Sequence, residues 1–189
     1  MEQQNYEQRG YLHEDFRLFH LDEAMTAPVD WHYHTFHKII AFLSGSASYG
    51  IEGKSYVLEA GDLILVPSGC IHRPEIAPGA PYERIILYIS PEFLRTAGTP
   101  DCDLEACFAK AQAEFMFVLR PGAERRVLLG ALLALEREQP SQAFGRALLE
   151  RALVLQFLIG VRRGMEENRL EEIAISWWRS RPRARNVTD

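Results

Sequence analysis

Two short stretches hold most of the side chains capable of chemistry. The first, Asp30-Trp31-His32-Tyr33-His34-Thr35-Phe36-His37-Lys38, runs directly into the apolar segment Ile39 to Leu43. On an extended strand alternate residues share a face, so His32, His34, Phe36, Lys38, Ile40 and Phe42 point one way and His37 the other, unless a bulge intervenes. Two imidazoles and an ammonium on one face are costly in an apolar interior and call for a partner, a metal or a ligand. The second stretch is Gly61-Asp62-Leu63-Ile64-Leu65-Val66-Pro67-Ser68-Gly69-Cys70-Ile71-His72-Arg73-Pro74. Here Gly-Asp opens a strand, Pro-Ser-Gly turns the chain, and His72 enters the next strand.

Three chemistries fit these residues. Neutral His32, His34 and His72 with an open position could bind a divalent metal such as zinc. A cation beside such an ion costs Coulomb energy, so Lys38 favours instead a small anionic or polyhydroxylated ligand. In that case Lys38 pairs a carboxylate and the histidines serve as hydrogen-bond donors or acceptors. A purely structural polar network is the third reading. Trp31 and Tyr49 could stack on a sugar-like face or simply fill a core. Arg84 shares a strand face with Ile86 and Tyr88, where it could meet a ligand or a rim glutamate. Cys70 reads as a small buried hydrophobe.

The elements that must position these groups fall into two halves. From Tyr11 to about Ser90 the runs YLHEDFRLFHL, FHKIIAFLSG, SASYGIEG, KSYVLEAG, DLILVPSG and YERIILYIS alternate with turn residues, the pattern of an antiparallel β unit. At least six strands in this length point to a sandwich or barrel, since an open sheet would expose an apolar face. After Pro100 the period changes. A helix capped by Asp101 or Asp103 is expected to bury Leu104, Phe108, Ala111 and Phe115 before Pro121. A second is expected over 123–138, and a third from about Ser141 to Gly160 or beyond. On the third, Leu148, Ala152, Leu155 and Ile159 form a narrow stripe, which either completes a monomeric core or pairs with a second copy of the chain. The three helical runs contain no histidine, so imidazole chemistry belongs to the β unit.

HxH followed by GDxxxxPxGxxH resembles the two-part signature of the cupins, small double-stranded β-barrels of jelly-roll type. Gly61, Pro67, Gly69 and His72 match the second part; in the first, Lys38 stands where a glutamate is usual. The segment WHYHTFHKIIAFLSGSASYGIEGKSYVLEAGDLILVPSGCIHRP, continued by PYERIILYISPEFL and DCDLEACFAKAQAE, is similar to the N-terminal sensing domain of AraC-type transcription regulators over about residues 10–170. That resemblance implies a mainly β chain with an α appendage: a cupin barrel over 1–100 and an antiparallel helical hairpin with linker over 101–176. It also implies a small effector, often a sugar or related metabolite, held in the barrel by His32, His34, Lys38, Tyr49, His72 and Arg84. Dimerisation would use the helices, with Leu148, Ala152, Leu155 and Ile159 as the interface. Members of the family carry a further module of about a hundred residues that binds DNA; here WWRSRPRARNVTD follows, too short for a recognition helix with its support. The chain is therefore expected to bind no specific nucleic acid itself. A truncated or frameshifted regulator and a stand-alone sensor both fit.

The 189 residues, 47% hydrophobic and 25% charged, are enough for one domain with a sizeable core. The net charge of -5 argues against a body that rests on nucleic acid or an anionic membrane. Residues 177–189 differ: Arg179, Arg181, Arg183 and Arg185 make a basic tail, expected to be solvated and disordered. Three cysteines without CxxC spacing indicate no disulfide framework, and with no signal-like or spanning segment the expectation is a cytoplasmic protein. The expected function is effector sensing and dimerisation without catalysis, and with no cofactor beyond a possible divalent metal. The alternative is a small metal-dependent cupin enzyme, such as an isomerase, dioxygenase or sugar-modifying enzyme, with His32, His34 and His72 as ligands.

Overall fold

The computed structural model describes residues 6–24, 27–167 and 169–173. The basic tail expected over 177–189 lies outside these residues. In chain order the strands are β1 (Glu7–Gln8), β2 (Phe16–Asp22), β3 (His32–Tyr33), β4 (His37–Gly45), β5 (Ala47–Ile51), β6 (Lys54–Val57), β7 (Leu63–Val66), β8 (His72–Ile76) and β9 (Tyr82–Ile89). There follow α1 (Pro91–Ala97), α2 (Ala106–Glu114), β10 (Val118–Arg120), α3 (Arg125–Glu138), α4 (Arg146–Glu166) and β11 (Glu171–Glu172). One sheet has the order β1-β3-β8-β5-β6 and the other β11-β10-β7-β4-β9-β2. All neighbours pair antiparallel except β1 with β3. The two sheets face each other as a cupin jelly roll with a helical appendage, the expected fold class.

Alternation decides which face does what. Lys38, Ile40 and Phe42 of β4 lie opposite Tyr88, Ile86 and Arg84 of β9, and this set lines the lumen between the sheets. Ile39 and Ala41 lie opposite Leu87 and Ile85 and look outward. That outer face is not solvated. Ala41, Leu43 and Leu63 meet Leu128 and Leu129 of α3, and His37 packs its ring against Phe108 of α2 with centroids 4.2 Å apart. The helices cover the six-stranded sheet, so β4 is buried from His37 to Phe42 on both faces. This is why its apolar run is continuous rather than alternating.

The GD motif owes its aspartate to a tie between the halves. Asp62 is fully buried, and Arg120 of β10 holds it with two hydrogen bonds, Nε to Oδ1 at 2.9 Å and Nη2 to Oδ2 at 3.0 Å. The Glu59 backbone N–H donates to the same carboxylate at 2.8 Å. Gly61 beside it has φ +102°, and a Cβ there would fall 2.6 Å from Arg125 Nε, so only glycine suits the turn.

The helical half departs from expectation in several places: a short helix, α1, precedes Pro100, and α2 begins at Ala106 with no side-chain cap, neither Asp101 nor Asp103 serving as its N-cap. α2 ends at Glu114, and Phe115, expected on its buried face, takes a left-handed conformation (φ 56°) and is 44% exposed. Val118–Arg120, expected to lie within the helical run that Pro121 breaks, is instead the strand β10, paired to β7, which would otherwise be an open sheet edge. α4 begins at Arg146 rather than Ser141, after Gly145 in the left-handed region. Its inward stripe is Val154, Phe157, Leu158, Val161 and Met165, which packs in the core; of the expected stripe, Leu148 and Ala152 are exposed, while Leu155 and Ile159 are half-buried against the same core. Among the described residues no helix is long and apolar enough to cross a membrane.

A second tie is titratable. His20 of β2 contacts Glu136 of α3 at 2.8 Å and Glu83 of β9 at 3.3 Å. Partial burial opposes its charge, but the two carboxylates together outweigh that and raise its pKa above the ordinary 6.5. A raised folded-state pKa contributes stability that is fully present below the unfolded value and lost as pH rises through the folded one. The melting-temperature gap between wild type and His20→Gln should therefore be widest near pH 5 to 6 and should close by about pH 8. A gap independent of pH, measured by thermal denaturation across that range, would show that the imidazolium does not act.

Candidate functional site

The lumen collects the residues singled out by spacing. β3 pairs with β8 at His32 opposite His72, and the bend at Thr35 and Phe36 carries the chain into β4 without breaking the alternation, so His34 and Lys38 also face inward. The Gly69 backbone N–H donates to His34 O at 2.8 Å, which holds the Pro-Ser-Gly turn against the first histidine segment. His32, His34, Lys38, Tyr49, His72 and Arg84 are all buried. The imidazole centroids lie 4.4 Å apart for His32 and His72, 4.9 Å for His34 and His72, and 5.1 Å for His32 and His34.

Backbone carbonyls orient each ring. His32 Nδ1–H donates to Asp30 O at 2.8 Å, His72 Nδ1–H to Cys70 O at 2.9 Å, and His34 Nδ1–H to Arg9 O. A carbonyl can only accept, so all three rings carry their proton on Nδ1 and turn an Nε2 lone pair into the lumen. His72 Nε2 accepts from Lys38 Nζ at 3.4 Å. Among the described residues His34 Nε2 is buried without a hydrogen-bond partner.

Burial keeps this cluster neutral, and the nearby lysine adds to the effect. It lowers the pKa of His34 to about 4, and those of His32 and His72 also fall, that of His72 furthest. Lys38 is brought down to about 7 by burial first and by the Arg84 guanidinium second. No buried acid compensates: Asp62 is the only one among the described residues, and Arg120 holds it. Arg84 donates to Tyr82 O at 2.8 Å and reaches only the exposed Glu23, at 3.7 Å. The rim glutamate expected for Arg84 is thus present, yet the guanidinium itself is in the lumen.

The two aromatic candidates part company. Tyr49 is buried and stacks on His72, with ring planes 13° apart. Trp31 lies on the outer face of the five-stranded sheet, its ring 2.6 Å from where a Gly50 Cβ would stand and 4.7 Å from Arg73 Cζ. It takes no part in the lumen. Tyr88 and Phe36, not singled out by spacing, do: their rings meet at 4.4 Å, tilted by 39°, and Phe36 stacks on His34 at 4.6 Å. Their place on the inward face was the available signal. Cys70 is buried and its thiol pushed up to about 12, as a small hydrophobe would be.

The chain matches the family model described as AraC-like ligand binding domain over residues 21–158. It belongs to this AraC-like ligand-binding family. No curated protein sequence matches it. Solved cupin structures resemble the AraC-like chain at low identity. A cupin-like protein from Thermotoga maritima is 21% identical with a TM-score of 0.37, covering 42% of this chain and 60% of that one. A Cupin 2 conserved barrel domain protein from Salinispora arenicola is 16% identical with a TM-score of 0.38, covering 45% and 71%. The polyketide cyclase RemF from Streptomyces resistomycificus is 21% identical with a TM-score of 0.36, covering 39% and 54%.

In this AraC-like domain the donor set suits a metal by type. One nitrogen from each of His32, His34 and His72 lies within 4.8 Å of the others, and each Nδ1–H is held by a backbone carbonyl, as the second nitrogen of a metal-ligating histidine usually is. The same lone pairs equally suit hydroxyl or ammonium donors, and Lys38 already uses one. Removing the uncompensated amine should relieve strain that binding requires. We expect Lys38→Met to melt several degrees higher than wild type near pH 6 and to lose affinity for the lumen's ligand. A lower melting temperature in differential scanning calorimetry would contradict this account of the amine.

Proposed function

We propose that the chain is the effector-sensing and dimerisation domain of an AraC-type transcription regulator, cytoplasmic and without catalytic activity of its own. A small sugar or sugar-acid-like metabolite occupies the lumen. The observation that carries the reading is the buried, acid-free grouping of Lys38 and Arg84 with three oriented imidazoles. An anionic or hydroxylated guest supplies what these groups lack: a negative end for the cations and O–H donors for the Nε2 lone pairs. Tyr49 offers a flat face beside His72.

The signal leaves by the opposite face of β4. His37 accepts from the Ser68 backbone N–H on Nδ1, at 3.2 Å, and so donates from Nε2 to Glu105 at the start of α2, at 3.0 Å. α2 and α4 pack together around a surface cleft that includes Leu104, Ala106 and Ile159. Effector that shifts β4 would therefore bias how the helices sit, and with them a dimer formed through Leu148, Ala152, Leu155 and Ile159. Leu148 is 72% exposed and Ala152 is exposed, while Leu155 and Ile159 are half-buried against the chain's own core, so a partner copy would meet mainly the Leu148 and Ala152 end of the stripe. In a complete regulator the dimer would place DNA-reading units on their half-sites.

Binding should raise the melting temperature by mass action. In a thermal-shift screen of sugars, sugar acids and divalent metals, at least one sugar or sugar acid should stabilise the wild type, and Lys38→Ala should abolish the shift. A variant that keeps the full shift would show the lumen assignment to be wrong. The second reading, a metal-dependent cupin enzyme, draws on the orphaned His34 Nε2. His32, His34 and His72 would hold the ion, which when bound would supply Lewis-acid chemistry. Stoichiometric metal in untagged protein, lost in the His34→Ala, His72→Ala double variant, would favour it.

The dimer has its own test. Wild type should sediment as a dimer at micromolar concentration and the Leu148→Glu, Leu155→Glu variant as a folded monomer. A strictly monomeric wild type would remove the signalling route.

A further inference from the structure

We propose that Lys38 captures its effector covalently: the effector is a small carbonyl compound that also carries an acid group, and its carbonyl carbon condenses with Lys38 Nζ to an imine inside the barrel. This rests on the sensor reading and narrows its ligand class.

The choice of lysine is the first support. The chain has only three lysines against eighteen arginines, so arginine is its usual cation. Lys54 and Lys110 are half-exposed at the surface, one above the Phe115 ring and the other 3.0 Å from Glu114. The third is buried in the lumen, where a guanidinium such as Arg84 would serve equally well for charge alone. A primary amine does what a guanidinium does not: it adds to carbonyls.

The surroundings are those such an amine needs. Nζ is sequestered 6.0 Å from the centroids of both the Tyr49 and the Tyr88 rings, and among the described residues no carboxylate pairs with it. His72 Nε2, at 3.4 Å, is placed to accept a proton from the attacking nitrogen, and the unpartnered His34 Nε2 lies in the same cluster. The balance closes without oxidant or reductant. The Nζ lone pair attacks the carbonyl carbon, the C=O π pair goes to oxygen, and the Nζ proton passes by way of His72 to that oxygen. A second Nζ proton follows by the same route; the oxygen then leaves as water and the C=N bond forms. Hydrolysis reverses every step, as a sensor requires.

Arg84 sets where the acid group lies. It stands opposite Phe42, four residues along β4 from Lys38, and its Cζ folds over the Tyr82 ring at 4.3 Å. Strand rise separates Lys38 and Phe42 Cα atoms by about 13 Å. A guest's acid group would therefore lie toward the Phe42 end of the lumen, where it would displace the exposed Glu23 from Arg84, with its carbonyl at the Lys38 end.

The test uses succinic semialdehyde and glucuronate with sodium cyanoborohydride near neutral pH, followed by peptide mapping by mass spectrometry. Lys38 should be alkylated by at least one of them about tenfold faster or more than Lys54 and Lys110, as expected for an amine and bases held in place. Lys38→Arg, which keeps the charge, should give no lumen adduct, and His72→Gln should slow labelling while the fold, followed by circular dichroism, is retained. Labelling of Lys38 no faster than the two surface lysines by either compound overturns the proposal. Parallel melting curves with the matched alcohols, 4-hydroxybutyrate and gulonate, separate the two claims. Stabilisation by the alcohols that depends on Lys38, without labelling, would leave the sensor standing and the covalent step refuted.

Discussion

Strand β4 has no solvent face from His37 to Phe42. Lys38, Ile40 and Phe42 fill the lumen while His37, Ile39 and Ala41 lie under the helices, so the polypeptide that bears the lumen amine also carries the contact to α2. Close-packed interiors do not absorb displacements continuously; they pass them on or switch between packings. A guest that moves Lys38 by a fraction of an ångström must shift either its sheet neighbours or the helices. The sheet is the stiffer of the two, because β4 is hydrogen-bonded to β7 on one side and to β9 on the other. The helices are the softer neighbour, held to this strand by side-chain contacts alone.

The Asp62–Arg120 pair limits where that softness can be. It fixes the turn before β7 to β10, and β10 leads through a short turn into α3, whose Glu136 meets His20 of β2 at the far edge of the same sheet. α3 is thus tied to the barrel at both ends by charged contacts. α2 meets the barrel through His37, Glu105 and Phe108, and α4 through the Arg151–Asp15 ion pair, while α4 itself packs chiefly against α3. In the proposed sensing role, a shift that leaves β4 by His37 would reach α2 first and α4 through it.

Most of the lumen was legible before any coordinates, since it depends on a period of two within single strands. His32, His34 and Lys38 share a face by alternation, and His72 follows from the turn ahead of β8. What spacing could not supply were the long-range partners. Asp62 reads as a turn residue until Arg120, 58 positions on, takes its carboxylate. Trp31 neighbours His32 in sequence but points to the other side of the sheet, where the absence of a Gly50 side chain makes room for it. The strand at Val118 to Arg120 hid between helices because three residues are too few to show a period. Phe115 matched the helical spacing yet fell one residue beyond the helix end, where a left-handed cap turns it outward.

The orientation of the imidazoles bears on why the lumen tolerates so much unpaired polarity. Each ring gives its N–H to a backbone carbonyl of the segment that carries it or, for His34, of the segment crossing over it at Arg9. The donors are therefore satisfied within the fold, and only acceptors and cations face inward. A lumen built this way is only partly self-satisfied: Lys38 gives an N–H to His72 and Arg84 is held by Tyr82 O and the exposed Glu23, while the buried His34 Nε2 lone pair would be met by a hydroxyl or acidic guest. Such a site is set up by the fold in advance of its ligand, and the stability given up in burying it is recovered only on binding.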